Sequence, residues 1–431
     1  MRDIRVGIIG FGTVGAGVVD CLLTNGELIA NRTDMRPVVT RIADMDITTD
    51  RGVAVDPTLL TTDADAVVGA DDIDVVVELV GGTTTAKTFI LRALANGKPV
   101  VTANKALLAD CGDEIFAAAE VSSADVYYEA SVAGGIPIIK AMREGLVGNR
   151  ITEIVGILNG TCNYILTRME QESTSFDEVL GQAQAAGYAE TPPDLDIDGI
   201  DTAHKATILA SLAYGEWFGM EPLYVEGIRG LALRDIQYAA NLGYRVKLLA
   251  VIKQCGADVQ IRVHPTLIPH GSSLSHVHGV NNAVWVQGTP VGGTMYYGPG
   301  AGRDATASAV VADIVDVGLN LKFGSHRRVP AFRAHQGCAG VVPMADVETR
   351  YYLRLQVRNR AGVLAQIAGV LGESSISIAS VHQQEIHGET APLVILTYEA
   401  REANMQHAPV EIRELQVVSE DPVLIRIEDM P

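Results

Sequence analysis

Residues 4–15 read IRVGIIGFGTVG, and this stretch decides the fold of the first third of the chain. Ile4–Ile9 is a short apolar run suited to a buried strand. It passes without a spacer into Gly10-Phe11-Gly12-Thr13-Val14-Gly15, and then into helical text from Ala16 to Thr24. Glycines at this spacing, between a strand and a helix, have separate jobs. Gly10 permits a tight turn, Gly12 lets backbone approach a pyrophosphate, and Gly15 lets the helix lie close to the strand. The N–H groups opening the helix then face the phosphate charge. The stretch predicts an α/β, doubly wound parallel sheet carrying a dinucleotide. A glycine-rich turn with no ligand is the plainer alternative.

Working outward, Val38–Ala43 reads as the second strand, with Gly26–Pro37 as an inserted loop before it. Asp44 follows that strand, where a carboxylate suits a ribose 2′-hydroxyl and disfavours a 2′-phosphate. Asp46 competes for the role, and Arg41 and Arg51 could serve a phosphate, so the choice between NAD and NADP stays open. Ile73–Val80 is a further apolar strand ending at Gly81-Gly82-Thr83, and Pro99–Thr102 is another, followed by Ala103-Asn104-Lys105. Ligands of open α/β sheets sit beyond the carboxyl ends of strands, which marks Gly82, Thr83, Thr102 and Lys105. Val126–Glu129 ends in the small-residue turn Ala130–Pro137, which could wrap a hard cation with carbonyl oxygens or be a simple turn.

A second stretch concentrates chemistry. Gly187–Leu209, GYAETPPDLDIDGIDTAHKATIL, sets Glu190, Asp194, Asp196, Asp198 and Asp201 before one lysine, Lys205. Gly187 and Pro192-Pro193 rule out a continuous helix over its first half. From Asp201 the text is helical and puts Asp201 and Lys205 at i and i+4, on one side. The bland reading is a solvated loop with a surface ion pair. Beyond it, strand-like segments at 246–252, 259–263, 283–287 and 294–297 predict a mixed sheet with helices. His276 and His278 lack a third ligand nearby and are read as non-metal residues. Gly298–Asp304 is a second glycine-rich turn, opening a helix at Ala305 that could return beside the nucleotide. Residues 325–349 are irregular. Strands at 351–357, 376–379, 381–386, 394–398 and 423–427 then give a β-α-β-β-α-β, ferredoxin-like tail poor in reactive side chains.

The length of 431 residues predicts two to three domains, and 48% hydrophobic residues are ample for their cores. A net charge of −19 argues against nucleic acid or an anionic membrane as partner. Five scattered cysteines without a CxxC read as free thiols of a reducing, cytoplasmic compartment. The first residues lack a signal-peptide pattern, and no apolar run approaches the ~18 residues of a membrane span.

GFGTVG, VTANKA, YEASVAGGIPII, GILNGTCNYI, GYAETPPDLDIDGIDTAHK and GPGAG occur in this order. Together they closely resemble the homoserine dehydrogenase family over essentially residues 1–325, and the tail resembles an ACT domain, a module that binds small ligands, often amino acids. The resemblance implies a Rossmann-like dinucleotide-binding domain at 1–135 with a return segment at 300–322. A catalytic and dimerisation domain at 136–299, a linker at 323–349 and an ACT domain at 350–431 follow. It implies NAD(P)H-dependent reduction of L-aspartate 4-semialdehyde to L-homoserine, on the route to threonine, methionine and isoleucine. Lys205 is then the general acid/base and Asp201 its neighbour in the proton path. Glu190 takes the substrate ammonium, aided by Gly160 and Thr161, and Asp196 is a further acid at the substrate. Lys105 stands where nicotinamide and substrate meet. Gly10, Phe11, Gly12, Thr13, Val14 and Gly15 meet the dinucleotide, and Gly302 closes over it. Glu129 with the carbonyls of Val132, Gly134 and Ile136 matches a sodium site. A homodimer or homotetramer is expected, with threonine as the first effector to try.

Two departures from the family pattern stand out. Relatives preferring NADP often carry an arginine where Ile42-Ala43-Asp44 stand, and Asn359-Arg360-Ala361-Gly362 replaces the usual Asp-x-Pro-Gly of an ACT loop. The rivals are another amino-acid dehydrogenase or a diaminopimelate-pathway reductase, which would lack the Glu190…Asp201-x-x-x-Lys205 arrangement. A degenerate amino-acid sensor would have lost Lys205 or the glycines, and both are intact.

Overall fold

Residues 1–325, 328–335, 337–383 and 388–430 are described by a computed structural model of the chain. They fall into two units: 1–160, 201–221 and 280–339 form one, and 161–200, 222–279 and 340–431 the other.

The first unit is organised around a parallel sheet. In space its strands run Leu60–Thr61, Met35–Ala43, Arg2–Ile9, Val75–Glu78, Val100–Thr102, Val126–Tyr127. Ile4, Val6 and Ile8 of the central strand and Val75 and Val77 beside it are fully buried. Each such side chain contributes about 1.5–3 kcal/mol, which is why continuous apolar runs become interior strands. The helices Thr13–Thr33 and Arg303–Phe323 pack against each other and share one core with these strands through Val18, Leu22, Val310 and Ile314. The chain after residue 300 thus packs its helix into the core of this sheet. The loop expected over Gly26–Pro37 is not found. The helix continues through Gly26 to Thr33, and the next strand opens at Met35. Leu22, Ile29 and Ala30 extend the inward stripe, and their burial outweighs the ~1 kcal/mol that a mid-helix glycine costs. Pro37 sits opposite Ile4, while the outer neighbour of its strand pairs only at Ile42 and Ala43, so the missing N–H falls on an open edge.

The same unit holds an antiparallel set, Arg150–Ile157 beside Asn281–Thr289 beside Gly292–Pro299. It also holds the helix Ile200–Tyr214, buried almost all round. Asp201 and Lys205 lie in that buried helix, which removes the reading of a solvated surface pair.

In the second unit Tyr244–Cys255 and Asp258–Pro269 form a long hairpin. Glu348–Arg358, Val363–Glu373, Ile378–Gln383, Thr390–Thr397, Glu402–Arg413 and Val423–Ile427 supply the β-α-β-β-α-β order. Their core joins Leu353 and Ile395 of the strands to Ile367 and Met405 of the two helices. Where two strands are expected at 376–379 and 381–386, one strand, Ile378–Gln383, is found, and residues 384–386 lie outside the described ones. The tail is not a separate body. Val423–Ile427 pairs parallel with Asp258–Pro269, Thr266 facing Arg426, and antiparallel with Glu348–Arg358. Residues 340–342 also join that hairpin, Val259 donating to the Gly340 carbonyl and Val342 to that of Val259. Charged pairs cross the expected boundary at 350, the first two fully buried and the third with a half-exposed acid. Arg354 reaches Asp235 at 2.5 Å, Arg262 pairs with Glu428, and Arg426 lies 2.7 Å from Glu226. Sequence could not show this, because each half of every pair sits in an unremarkable local segment, and Glu226 and Glu428 lie just past strand ends. No helix among the described residues is long and apolar enough to cross a membrane.

Candidate functional site

The glycine loop is shaped for backbone-to-ligand contact. Gly10 has φ +103°, and a Cβ there would stand 2.6 Å from the Leu79 carbonyl. A Cβ on Gly15 would stand 2.1 Å from the Gly10 oxygen, so this glycine packs helix on strand. At Gly12 neither reason applies: φ is −72° and a Cβ would meet nothing within 4 Å. Its glycine keeps an open cradle at the N-terminus of Thr13–Thr33, where no side chain caps the first N–H groups. Those donors, with the helix dipole behind them, suit a pyrophosphate. Gly82 (φ +70°) and Gly302 (φ +112°) also border open space, so the residues present fit a dinucleotide.

Asp44 follows the Met35–Ala43 strand and binds the loop to it. Its carboxylate accepts from the N–H of Phe11 at 2.5 Å and of Asp46 at 2.9 Å. Asp46 instead closes its own turn, accepting from the N–H groups of Thr48 and Thr49 and pairing with Arg51 at 3.1 Å. Arg41 donates to the Ala66 carbonyl and stands 3.4 Å from Asp72. Both arginines that might have met a 2′-phosphate are thus engaged with protein oxygens.

A buried network holds the next strand ends together. Glu78, fully buried, accepts from the Thr102 hydroxyl at 2.7 Å and from the Val80 N–H at 2.8 Å. Burial raises the pKa of its carboxyl against these bonds. Thr102 accepts from the Asn104 N–H, and the Asn104 amide donates to the Gly82 carbonyl at 2.7 Å. The Asn104 side chain also caps the helix Lys105–Ser122 by accepting from Leu107 N–H. Gly82, Thr102 and Lys105 are therefore parts of one connected edge.

Lys105 begins that helix and points its ammonium at the centre of the site, 3.0 Å from Asp201 Oδ1. Lys205 lies 2.7 Å from Asp201 Oδ2 and donates to the Leu158 carbonyl at 2.7 Å. Asn159 donates to the same Oδ2 at 2.9 Å, and Asn282 donates to the Leu158 carbonyl at 2.9 Å. Burial alone would raise the Asp201 pKa, but the charges of Lys205 and Lys105 and the bonds from Lys205 and Asn159 hold it far below the usual carboxylate range. One carboxylate is shared by two ammonium groups, and Lys205 is the more buried of the two, at 9% side-chain exposure against 41%.

In the second unit, Thr161 opens the first turn of the helix Gly160–Glu172 and donates to the Tyr188 carbonyl at 2.5 Å, tying that turn to the loop that carries exposed Glu190. The Asp196 carbonyl accepts from Cys162. Asp194 and Asp198 pair with Arg229 at 2.5 and 2.9 Å and serve the loop itself. Gly160 is required locally, since a Cβ there would lie 2.5 Å from the Val280 carbonyl.

Glu129 does not present its carboxylate as a free ligand. Both oxygens accept main-chain N–H groups, from Ile139 at 2.9 Å and Lys140 at 2.7 Å. A cation here would rest on the carbonyls of Val132, Gly134 and Ile136, and among the described residues no cluster of three His, Cys, Asp or Glu could hold a metal ion.

Sequence reasoning passed over Glu78, Asn104, Asn159 and Asn282. Asn104 and Asn159 lie inside motifs that carry the family resemblance, so a signal existed for them. Glu78 read as one polar residue in an apolar strand, and Asn282 had no local mark.

Comparison with known proteins follows these elements. The model of the homoserine dehydrogenase family matches residues 137–315, that of the homoserine dehydrogenase NAD-binding domain residues 10–129, and that of the ACT domain residues 351–408. Homoserine dehydrogenases of Neisseria gonorrhoeae and Pseudomonas aeruginosa are each 44% identical to this chain, over 100% of both partners. A crystal structure of a homoserine dehydrogenase from Thiobacillus denitrificans superposes with a TM-score of 0.95 at 46% identity, covering 100% of this chain and 99% of that one. A hyperthermophilic archaeal homoserine dehydrogenase in complex with NADPH matches with a TM-score of 0.62 at 28% identity, over 75% of this chain and 99% of its own.

Proposed function

The chain belongs to the homoserine dehydrogenase family, and from this premise we propose that it reduces L-aspartate 4-semialdehyde to L-homoserine through the Lys205–Asp201–Lys105 cluster. The observation that carries the reading is the buried Lys205 ammonium held between Asp201 and the Leu158 carbonyl. Bound NAD(P)H supplies the hydride to the aldehyde carbon. As that bond forms, negative charge builds on the carbonyl oxygen, and the Lys205 ammonium stabilises it and donates its proton. Asp201 orients Lys205, and its negative charge 2.7 Å away favours the ammonium form. Lys105 shares the Asp201 charge at the strand edge of Thr102 and Gly82. In the oxidative direction Lys205, once neutral, takes the hydroxyl proton.

Glu190 takes the substrate ammonium, with Asp196, Gly160 and Thr161 completing the contacts, as the family pattern assigns them. Support comes from the Thr161–Tyr188 bond, which fixes the loop two residues from Glu190. Gly10, Phe11, Gly12, Thr13, Val14, Gly15, Thr83 and Gly302 surround the dinucleotide. Asp44, acidic and flanked by arginines already engaged with protein oxygens, tilts the enzyme toward NADH or toward use of both cofactors. A sodium ion on the carbonyls of Val132, Gly134 and Ile136 is part of the same reading. A Tm higher in sodium chloride than in choline chloride at equal ionic strength supports it, and equal values remove it. The ACT part binds an amino-acid end product, threonine first. The product pathway then leads to threonine, methionine and isoleucine. The edge strand Gly292–Pro299, with exposed Tyr297, suits self-association, which light scattering measures.

The deciding experiment is a steady-state assay with L-aspartate 4-semialdehyde and each reduced cofactor, with and without threonine. No cofactor oxidation with either dinucleotide refutes the reading.

A further inference from the structure

The helix Lys105–Ser122 is broken one turn and a half after Lys105. Cys111 leaves helical geometry, with φ −136° and ψ 20°. Into this break comes the indole of Trp217. Its Nε1–H donates to the Leu108 carbonyl at 3.1 Å, which belongs to the same short helical piece as Lys105. Gly112, on the far side of the break, makes room for the ring: a Cβ there would stand 2.1 Å from one indole carbon and 2.2 Å from another. A kink with an inserted side chain has an identifiable cause, and here the cause is Trp217.

Trp217 follows the helix that carries Asp201 and Lys205, and it is held to that helix. Ile200–Tyr214 ends at Gly215, with φ +70°, and the chain turns back so that Phe218 N–H donates to the Ser211 hydroxyl at 3.1 Å. The outer side of the indole is backed by aromatic rings. Phe116 lies 5.0 Å from it, and Phe332 meets it edge-on at 5.1 Å. The segment that carries Phe332 is itself tied down, the Tyr128 hydroxyl donating to the Ala331 carbonyl at 2.8 Å. Two contacts thus tie the Lys105–Ser122 helix to the Ile200–Tyr214 helix and the turn after it: Lys105 with Asp201, and Leu108 with Trp217. The second contact fixes the end of the turn from which the first one reaches.

We propose that Trp217 is a positioning residue for the reaction: by seating its indole in the break of the Lys105–Ser122 helix, it sets the direction of the first turn and so holds the Lys105 ammonium on Asp201. This rests on the role given to Lys105 above. A displacement of about 1 Å in a group near the reacting atoms can cost about 10²-fold in rate, so a second-layer clamp of this kind has a measurable effect.

The test is a double-mutant cycle on the full chain. Trp217→Phe keeps a ring in the break but removes the N–H donor, and Lys105→Ala removes the group it aims. Each single variant should lower kcat/KM for the semialdehyde by roughly 10–100-fold, with the same division between kcat and KM. The double variant should be no worse than Lys105→Ala alone, because Trp217 has nothing left to position. Thermal melts of all four proteins accompany the kinetics. Losses that multiply, or a fall in Tm with wild-type kinetic constants, overturn the inference while leaving Lys105 in place. Wild-type activity of Lys105→Ala overturns the role of Lys105 and this inference with it. If Trp217→Phe does not fold, Gly112→Ala replaces it in the cycle, since the added methyl displaces the indole, and the same non-additivity is required.

Discussion

Lys205→Ala is the perturbation with the most definite consequence. The variant removes the proposed proton donor and leaves Asp201 with Lys105 at 3.0 Å and the Asn159 amide at 2.9 Å as its partners. Breaking a buried ion pair outright costs about 3–5 kcal/mol. Here the carboxylate keeps a second cation, so the loss of stability should fall at the lower end, about 3 kcal/mol, and the protein should remain folded. The kinetic effect is larger in its consequence. Removal of a positioned acid typically costs about 10²–10⁴-fold, which is about 2.7–5.4 kcal/mol of barrier. The Gly12 cradle and Asp44 are remote from this change in sequence and in hydrogen bonding, so dinucleotide affinity should persist. The assay is semialdehyde reduction followed by cofactor absorbance, with binding of NADH and NADPH measured separately by fluorescence. A kcat within a few-fold of wild type would refute the assignment of Lys205. Loss of turnover together with loss of cofactor binding would refute the argument that proton transfer and dinucleotide capture are separate.

Glu190→Gln removes charge and keeps shape, so KM for the semialdehyde should rise more than kcat falls, and an unchanged KM reduces Glu190 to a loop acid. Asp44→Ala should shift the ratio of kcat/KM values toward NADPH, because a repulsive carboxylate leaves the ribose site; a ratio that does not move shows that Asp44 serves only Phe11 and Asp46. Stopping the chain near Thr349 should destabilise the second unit and not simply free the enzyme from regulation, since Asp235, Arg262 and Glu226 lose buried partners at about 3–5 kcal/mol for each fully buried pair; a soluble, fully stable truncated protein contradicts this. Lys247 is buried, donates to Asn163 and to the Val277 carbonyl, and burial lowers its pKa to about 7. An amine depressed in the folded state binds its proton only in the unfolded chain between about pH 7 and 10, so its contribution makes stability rise with pH in that window. The stability difference between wild type and Lys247→Met should therefore change by about 1.4 kcal/mol per pH unit there, and a flat difference shows that the amine titrates normally.

The sequence by itself determined the features whose physics is local. Apolar runs, glycine spacing and helical period act within a window of a few residues, and they located the parallel sheet, the strand–glycine turn–helix and the i, i+4 relation of Asp201 to Lys205. The family motifs added expected roles, which the variants above test. What local pattern could not decide was burial, which depends on neighbours brought from elsewhere in the chain. Lys105 reaches Asp201 across 96 positions, and that contact turns a common helical pair into a shared carboxylate between two ammonium groups. Gly26 reads as a breaker, yet the helix passes through it because a distant strand and helix bury its continuing stripe. The tail reads as self-contained, yet its last strand is hydrogen-bonded into the hairpin of 244–269, and charges from both halves neutralise one another in the interior. Trp217 carries no signal at all in its own segment, and its place in the break of another helix exists only once the two helices are packed.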